Sequence, residues 1–407
     1  MRRLVIICML NLALIICANS LYADDSGQSF KSFTQFTNSL DSLANIEDNA
    51  IRENSLKTFW DRLIMHQQVP FVIGDSVAFL YNGKAKSVFW HGDFDGWNPK
   101  SNEYRGRKIG LSDIWICITS FPKDARLDYK IVVDEKWILD AANQHQQWSG
   151  WGPNSELRMG DWKYPKETIR RSEVPRGDFS NDRKIVSTNL GYSVNYRVYT
   201  PAGYDSLSNM SVIYVTDGHE YSDERLGSMI TVLNNLIFDK KIKPIIAVFI
   251  DPRNPDNKEK NRRGDEYTIN DKFAKFVADE VVLQIDKDCK TDPSPENRAI
   301  LGTSLGGINS AYFGISRSDV FRLIAINSPA FKHKSEIYSM YQKSPKLPLK
   351  IFMSTGIVFD TETAARQMKK ILENKNYPLK YIEVNEGHSW GNWRGLLDDM
   401  LVYFFGM

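Results

Sequence analysis

Between residues 28 and 68 apolar side chains recur at helical spacing: Phe30, Phe33, Phe36, Leu40 and Leu43, then Ile51, Leu56, Trp60, Leu63 and Ile64, with no Gly or Pro inside the run. A period near 3.6 predicts helix, so residues 24–70 read as a helical lead-in. Pro70 ends that pattern. From Phe71 the apolar runs shorten to VAFLYNG, KSVFWHGDFDGWNP, DIWICITSFP and LDYKIVVDEKWILD, separated by turn residues. Short β-branched and aromatic runs bounded by turns predict a small antiparallel sandwich over residues 71–163. Its last segment, QWSGWGPNSELRMGDWKYP, has no apolar periodicity and reads as a closing stretch before a polar, charged linker at 164–184.

Beyond residue 185 strand and helix patterns alternate. LGYSVNYRVYTP reads as an entry hairpin, SVIYVTDG, PIIAVFID, RAILG, FRLIAINSP, LKIFMST and LKYIEVN as strands, and amphipathic helices fall between them. Fully apolar strands joined by helices predict a parallel sheet covered on both faces, so the fold class is α/β, preceded by a small all-β immunoglobulin-like sandwich. In such sheets ligands gather beyond the carboxyl ends of the strands.

Charge changes the picture little. The 407 residues hold 52 Lys plus Arg against 50 Asp plus Glu, which excludes the surplus of clustered cations that nucleic acid or a polybasic membrane contact requires. The N-terminus differs: Met1, Arg2 and Arg3 precede an apolar run from Leu4 to Cys17, then small and polar residues to Ala23. That run is about 14 residues, short of the roughly 20 needed to span a bilayer, and predicts a signal peptide over 1–23 rather than an anchor. Cleavage fits best after Ala23, then after Ser20. Cys17 raises lipid modification, but Ile16 stands where a small residue is required. The expected mature protein is therefore exported, periplasmic or extracellular, with no membrane span. It keeps only Cys117 and Cys289, too few and too far apart for a disulfide framework.

The strand RAILG runs directly into Gly302, Thr303, Ser304, Leu305 and Gly306, a G-x-S-x-G turn followed by a helical pattern. Glycines flank the serine because a tight strand-to-helix turn leaves no room for Cβ atoms there. A serine hydroxyl needs a positioned base. His388, in the loop after LKYIEVN, is the candidate, and an acid is expected between them in chain order. Asp360 in the loop after LKIFMST is the first choice and Glu362 the alternative. The oxyanion would be held by the amide of Leu305 and by one from the loop Asp217-Gly218-His219, with Gly218 or His219 as donor. His219 is a candidate substrate contact, as is Trp390. In the loop PRNPDNKEKNRRGDEYTIN, Arg262 and Arg263 could hold an anionic or catechol-bearing ligand, with Glu266 fixing one of them. Asp93 and Asp95 in GDFDGWN are a poor calcium loop, because Trp97 and Tyr104 occupy ligand positions. No metal and no cofactor is expected.

From residue 185 onward the chain resembles the enterochelin esterase type of serine esterase, within the esterase D and feruloyl esterase group of α/β-hydrolases. The matching pieces are VIYVTDGHEY, IAVFID with NRRGDEYTINDKFAKFVADEVV, LGTSLGGINSAYFG and EGHSWGNWRGLL, in the family's order. The resemblance implies a triad of Ser304, Asp360 and His388. Residues 71–160 resemble the E-set sandwich related to family 48 carbohydrate-binding modules, through HGDFDGWNP and YKIVVDEKWILD. Seven of the ten tryptophans fall between Trp90 and Trp162, although Asp140-Ala141-Ala142 replaces that module's usual Asp-Pro. The sequence thus predicts an exported, cofactor-free serine hydrolase of carboxylic esters, small or glycan-linked. A siderophore trilactone and feruloyl or acetyl esters of plant polysaccharide are the two substrate classes. A non-catalytic glycan-binding protein is the reading from another class.

Overall fold

The computed structural model describes residues 30–407; the leader expected over 1–23, with Cys8 and Cys17, lies outside the described residues. Two helices come first. Ser32 accepts the amide of Gln35 to start Phe33–Ala44, and Asp48 accepts that of Ile51 to start Asn49–Met65. Phe36 stacks on Phe71 at 3.9 Å, tying the helices to the first strand.

Two antiparallel sheets follow. One has the order β1 (Phe71–Ile73), β2 (Ser76–Asn82), β5 (Ile114–Ser120), β4 (Arg107–Lys108). The other runs β3 (Val88–Gly92), β6 (Arg126–Val133), β9 (Gly152–Arg158), β8 (Gln146–Ser149), with β7 (Lys136–Ile138) also on β6. Phe79, Trp90, Tyr129 and Leu157 meet between them, while Ala78, Leu80, Ile114 and Ile116 on the opposite face of the first sheet pack against the helices. Strand β2 is therefore buried on both sides, which explains its unbroken apolar run. The closing stretch, to which the lack of apolar periodicity assigns no strand, forms the hairpin β8–β9. Asn154, Ser155 and Glu156 on its two faces are polar and buried, so no apolar period marked it.

The C-terminal part is built on a nine-stranded mixed sheet. Its order is β10 (Asp178–Phe179), β12 (Ser193–Thr200), β14 (Ile246–Asp251), β13 (Val212–Val215), β17 (Arg298–Thr303), β18 (Leu323–Asn327), β19 (Lys350–Gly356) and β20 (Leu379–Val384), with β11 (Arg183–Val186) on β12. Pairing is parallel from β14 through β20 and antiparallel at the β10–β12 end. Apolar clusters lie on both faces, one with the helical stretch 271–288 and Leu305–Ser316, the other with Met229–Phe238 and Leu397–Phe405. A short hairpin of β15 (Arg253–Asn254) and β16 (Asn257–Asn261) shapes the loop after β14. Within residues 164–184 the chain is held to the C-terminal part: Asn235 donates to the carbonyls of Glu167 and Ile169. Cys117 and Cys289 are free. Among the described residues no helix is long and apolar enough to cross a membrane.

Candidate active site

Strand β17 ends at Thr303 and the helix begins at Leu305, so Ser304 alone makes the turn, with φ 58° and ψ −115°. That backbone is strained for a residue with a side chain and is held by its neighbours. The Ser304 amide donates to the Asn327 carbonyl, and the Ser304 carbonyl accepts from Ala330. A Cβ on Gly302 would lie 2.1 Å from the Gly306 carbonyl oxygen, which is why glycine stands there.

His388 reaches Ser304 from the loop after β20: its Nε2 is 3.0 Å from the serine Oγ. Nδ1 lies 2.6 Å from Asp360 Oδ1. With Nε2 accepting the serine proton, Nδ1 carries hydrogen and donates to the carboxylate. The other Asp360 oxygen accepts from Ser328 Oγ and the Gly356 amide, both at 2.6 Å. The Asp360 side chain is fully buried while His388 remains about one-third exposed, so the acid is fixed and the base faces the ligand space. Trp393 packs edge-on to the imidazole at 4.9 Å and donates to Ser328, closing the ring of contacts. Glu362 makes no contact with His388; it opens the helix Glu362–Asn374. Ser328 and Trp393 were missed by sequence reasoning. Only the position of Ser328, just past the end of β18, could have singled it out.

Ser304 and His388 open into a cleft of about 1120 Å³ lined from both parts of the molecule. Trp148 and Trp151 on the β8–β9 hairpin form a lip of it, and His219, Glu220 and Arg263 also line it. Trp151 is 99% exposed, and Arg225 stacks on Trp148 at 4.5 Å. Burial, reinforced by Asp217, pushes the Glu220 carboxyl up to about 7. Burial pulls His219 below the usual imidazole range, and its Nδ1 sits 3.5 Å from Asp251 without a hydrogen bond.

Of the expected contacts, Arg263 and Trp390 line the cleft, whereas Arg262 and its expected partner Glu266 do not. Arg262 points away from the cleft: its guanidinium lies over the Tyr192 ring at 3.9 Å and donates to the Ser193 carbonyl. Arg263 does line the cleft but is committed to both oxygens of Asp217 at 2.9 Å, and Glu266 accepts from Tyr192 instead of holding either arginine. Trp390 also lines the cleft, although it is 3% exposed and packed edge-on against Tyr221 and Trp393. Gly218 packs against Phe249 of β14 and lines a smaller pocket behind the loop, whereas His219 lines the main cleft. The amides of Leu305 and His219 lie in first helical turns, where the helix supplies no acceptor. Asp93 and Asp95 are spent on structural bonds, to Trp97 and the Asp128 amide and to His91 and the Gly92 amide.

An α/β fold that presents a serine, a histidine and a buried carboxylate in hydrogen-bonded series at one sheet edge is of the serine esterase class. The chain belongs to the family described as "Putative esterase", whose model matches residues 187–404. An endo-1,4-beta-xylanase/feruloyl esterase of Xylanibacter ruminicola is 23% identical over 302 residues, covering 72% of this chain and 40% of that protein. The enterobactin esterase of Shigella flexneri has a similar fold, with TM-score 0.67, 17% identity, and coverage of 80% of this chain and 92% of that one. The ferric enterobactin esterase of Salmonella typhimurium matches with TM-score 0.67 and 17% identity, over 81% of this chain and 94% of that one.

Proposed function

We propose that this chain is an exported serine esterase of the enterochelin esterase-like type, acting through Ser304, His388 and Asp360 with an acyl-enzyme intermediate. The observation that carries the reading is the continuous series Ser304 Oγ, His388 Nε2 at 3.0 Å, and His388 Nδ1 to Asp360 at 2.6 Å, at a strained strand-to-helix turn. His388 takes the serine proton as Oγ bonds to the ester carbonyl carbon. The carbonyl oxygen becomes an oxyanion facing the amides of Leu305 and His219, and Asp360 supports the imidazolium. His388 then returns the proton to the departing alcohol. Water repeats the sequence on the acyl-enzyme, releasing the acid and restoring Ser304. In this reading residues 1–23 are a leader, 71–163 an E-set sandwich, 164–184 a linker and 185–407 the α/β-hydrolase domain.

A second substrate class has its own support. An anionic catecholate would need free cations, but Arg263, Arg253, Arg225 and Lys258 in the cleft are each paired with a carboxylate, Arg262 lies outside it, and among the described residues Lys130 is the one lining cation left unpaired. The lip instead presents indoles suited to flat rings, which favours feruloyl esters carried on a glycan. The deciding experiment offers the purified mature protein an iron-free catecholate trilactone and a feruloylated arabinoxylan oligosaccharide in parallel, with Ser304→Ala as control. Ring opening dependent on Ser304 supports the siderophore reading, and ferulate release the polysaccharide reading. Turnover by Ser304→Ala equal to wild type overturns the mechanism.

A further inference from the structure

We infer that Arg126, carried on sandwich strand β6, is a positioning residue for His388: its buried guanidinium fixes the loop that aims the imidazole at Ser304. The inference rests on the triad reading above. Arg126 is wholly buried. Its Nε donates to Glu156 at 2.5 Å, one terminal nitrogen pairs with Asp128, and the other donates to Ser389 Oγ at 2.9 Å and lies 3.7 Å from Glu386. Ser389 and Glu386 flank Gly387-His388, so one planar fork grips the loop on both sides of the base.

Two further hydrogen bonds reinforce the grip. The Arg126 amide donates to the Asn385 carbonyl at 3.2 Å, and Trp162 of the sandwich donates to Glu386. A Cβ on Gly391 would lie 2.0 Å from the guanidinium carbon, and one on Gly387 would lie 2.2 Å from Asp93. The two glycines therefore let the loop seat directly on the sandwich. The acid loop leans on the same part: Val358 packs against the sandwich core and Phe359 against Gly96. The serine turn is held within the large sheet by Asn327 and Ala330, so the sandwich fixes acid and base relative to a nucleophile it does not hold.

Charge explains why the residue is arginine. A buried cation is costly unless it is paired and its hydrogens are satisfied, and Asp128, Glu156 and Glu386 supply that pairing. Lysine would bring the same charge without the planar fork that bonds Glu156, Asp128 and Ser389 at once.

The test uses the full mature chain with Arg126→Lys and Ser389→Ala, the second deleting a single bond of the fork. Each is assayed on a p-nitrophenyl ester for kcat and KM, normalised to sites titratable by a fluorophosphonate. Misplacement of the base is expected to lower kcat about 10- to 100-fold with little change in KM. A merely structural role would lower the number of titratable sites and leave kcat per site unchanged. Unchanged kcat per active site in Ser389→Ala and in whatever Arg126→Lys folds overturns the inference, even if both melt earlier. A wild-type chain without Ser304-dependent turnover overturns the triad reading and this inference with it. An active wild type with equally active variants overturns only the role of Arg126.

Discussion

Asp360 and His388 stand 2.6 Å apart, and the second oxygen of Asp360 is held by the Gly356 amide and the Ser328 hydroxyl, so the acid cannot turn away from the base. Asp360→Asn should therefore lower kcat by about 10³- to 10⁴-fold, since the amide favours the wrong imidazole tautomer. Glu362→Gln should leave kcat unchanged. Steady-state hydrolysis of an activated ester distinguishes them, and the reverse ranking would move the acid to Glu362.

The serine turn has its own prediction. A Cβ at Gly302 meets the Gly306 carbonyl oxygen at 2.1 Å, a backbone atom with nowhere to move. Gly302→Ala should cost about 1–3 kcal/mol or more of stability, read from the urea midpoint. A midpoint equal to wild type would show that the turn is not as tight as described.

The hydrogen-bonded series Ser304, His388 and Asp360 was legible in the sequence for a physical reason. Ser304, Asp360 and His388 each follow a strand of one parallel sheet, and such loops meet at one edge. Arg126 was not legible, because in the sequence it is a single charge within a strand and its partners come from Glu156 and from Ser389, 263 positions away. The hairpin β8–β9 escaped for a related reason: its buried side chains Asn154, Ser155 and Glu156 are satisfied by hydrogen bonds and ion pairs rather than by apolar packing. Arg262 and Arg263 looked equivalent as neighbours. The short helix Arg263–Glu266 sends them to opposite sides, one onto Tyr192 and the other onto Asp217.

Glu266 gives a pH-dependent prediction. It is 1% exposed, and burial pushes its carboxyl up to about 7 although Tyr192 donates to it. Its folded value lies above its unfolded one, so the native state binds more protons between pH 4.5 and 7, and the contribution of Glu266 to stability falls as pH rises through that window. Glu266→Gln removes the penalty. The variant should gain about 1–3 kcal/mol relative to wild type at pH 8, with the difference shrinking toward pH 4.5. A difference that grows as pH falls would contradict this sign.

Trp151 tests the lip of the cleft. Its ring is 99% exposed, so Trp151→Ala should leave the melting temperature unchanged. If it stacks on a flat ring of the substrate, KM should rise about 2- to 10-fold for feruloyl or glycan-borne esters and stay the same for p-nitrophenyl acetate. Equal KM values on all substrates would remove Trp151 from the binding surface.

The most direct measurement is covalent labelling by a fluorophosphonate followed by peptide mass spectrometry. Activation of the hydroxyl through His388 predicts one adduct, on Ser304, absent in Ser304→Ala and strongly slowed in His388→Ala. A folded wild-type chain that stays unlabelled, or that carries its adduct on another residue, would contradict the assignment of Ser304 as the nucleophile.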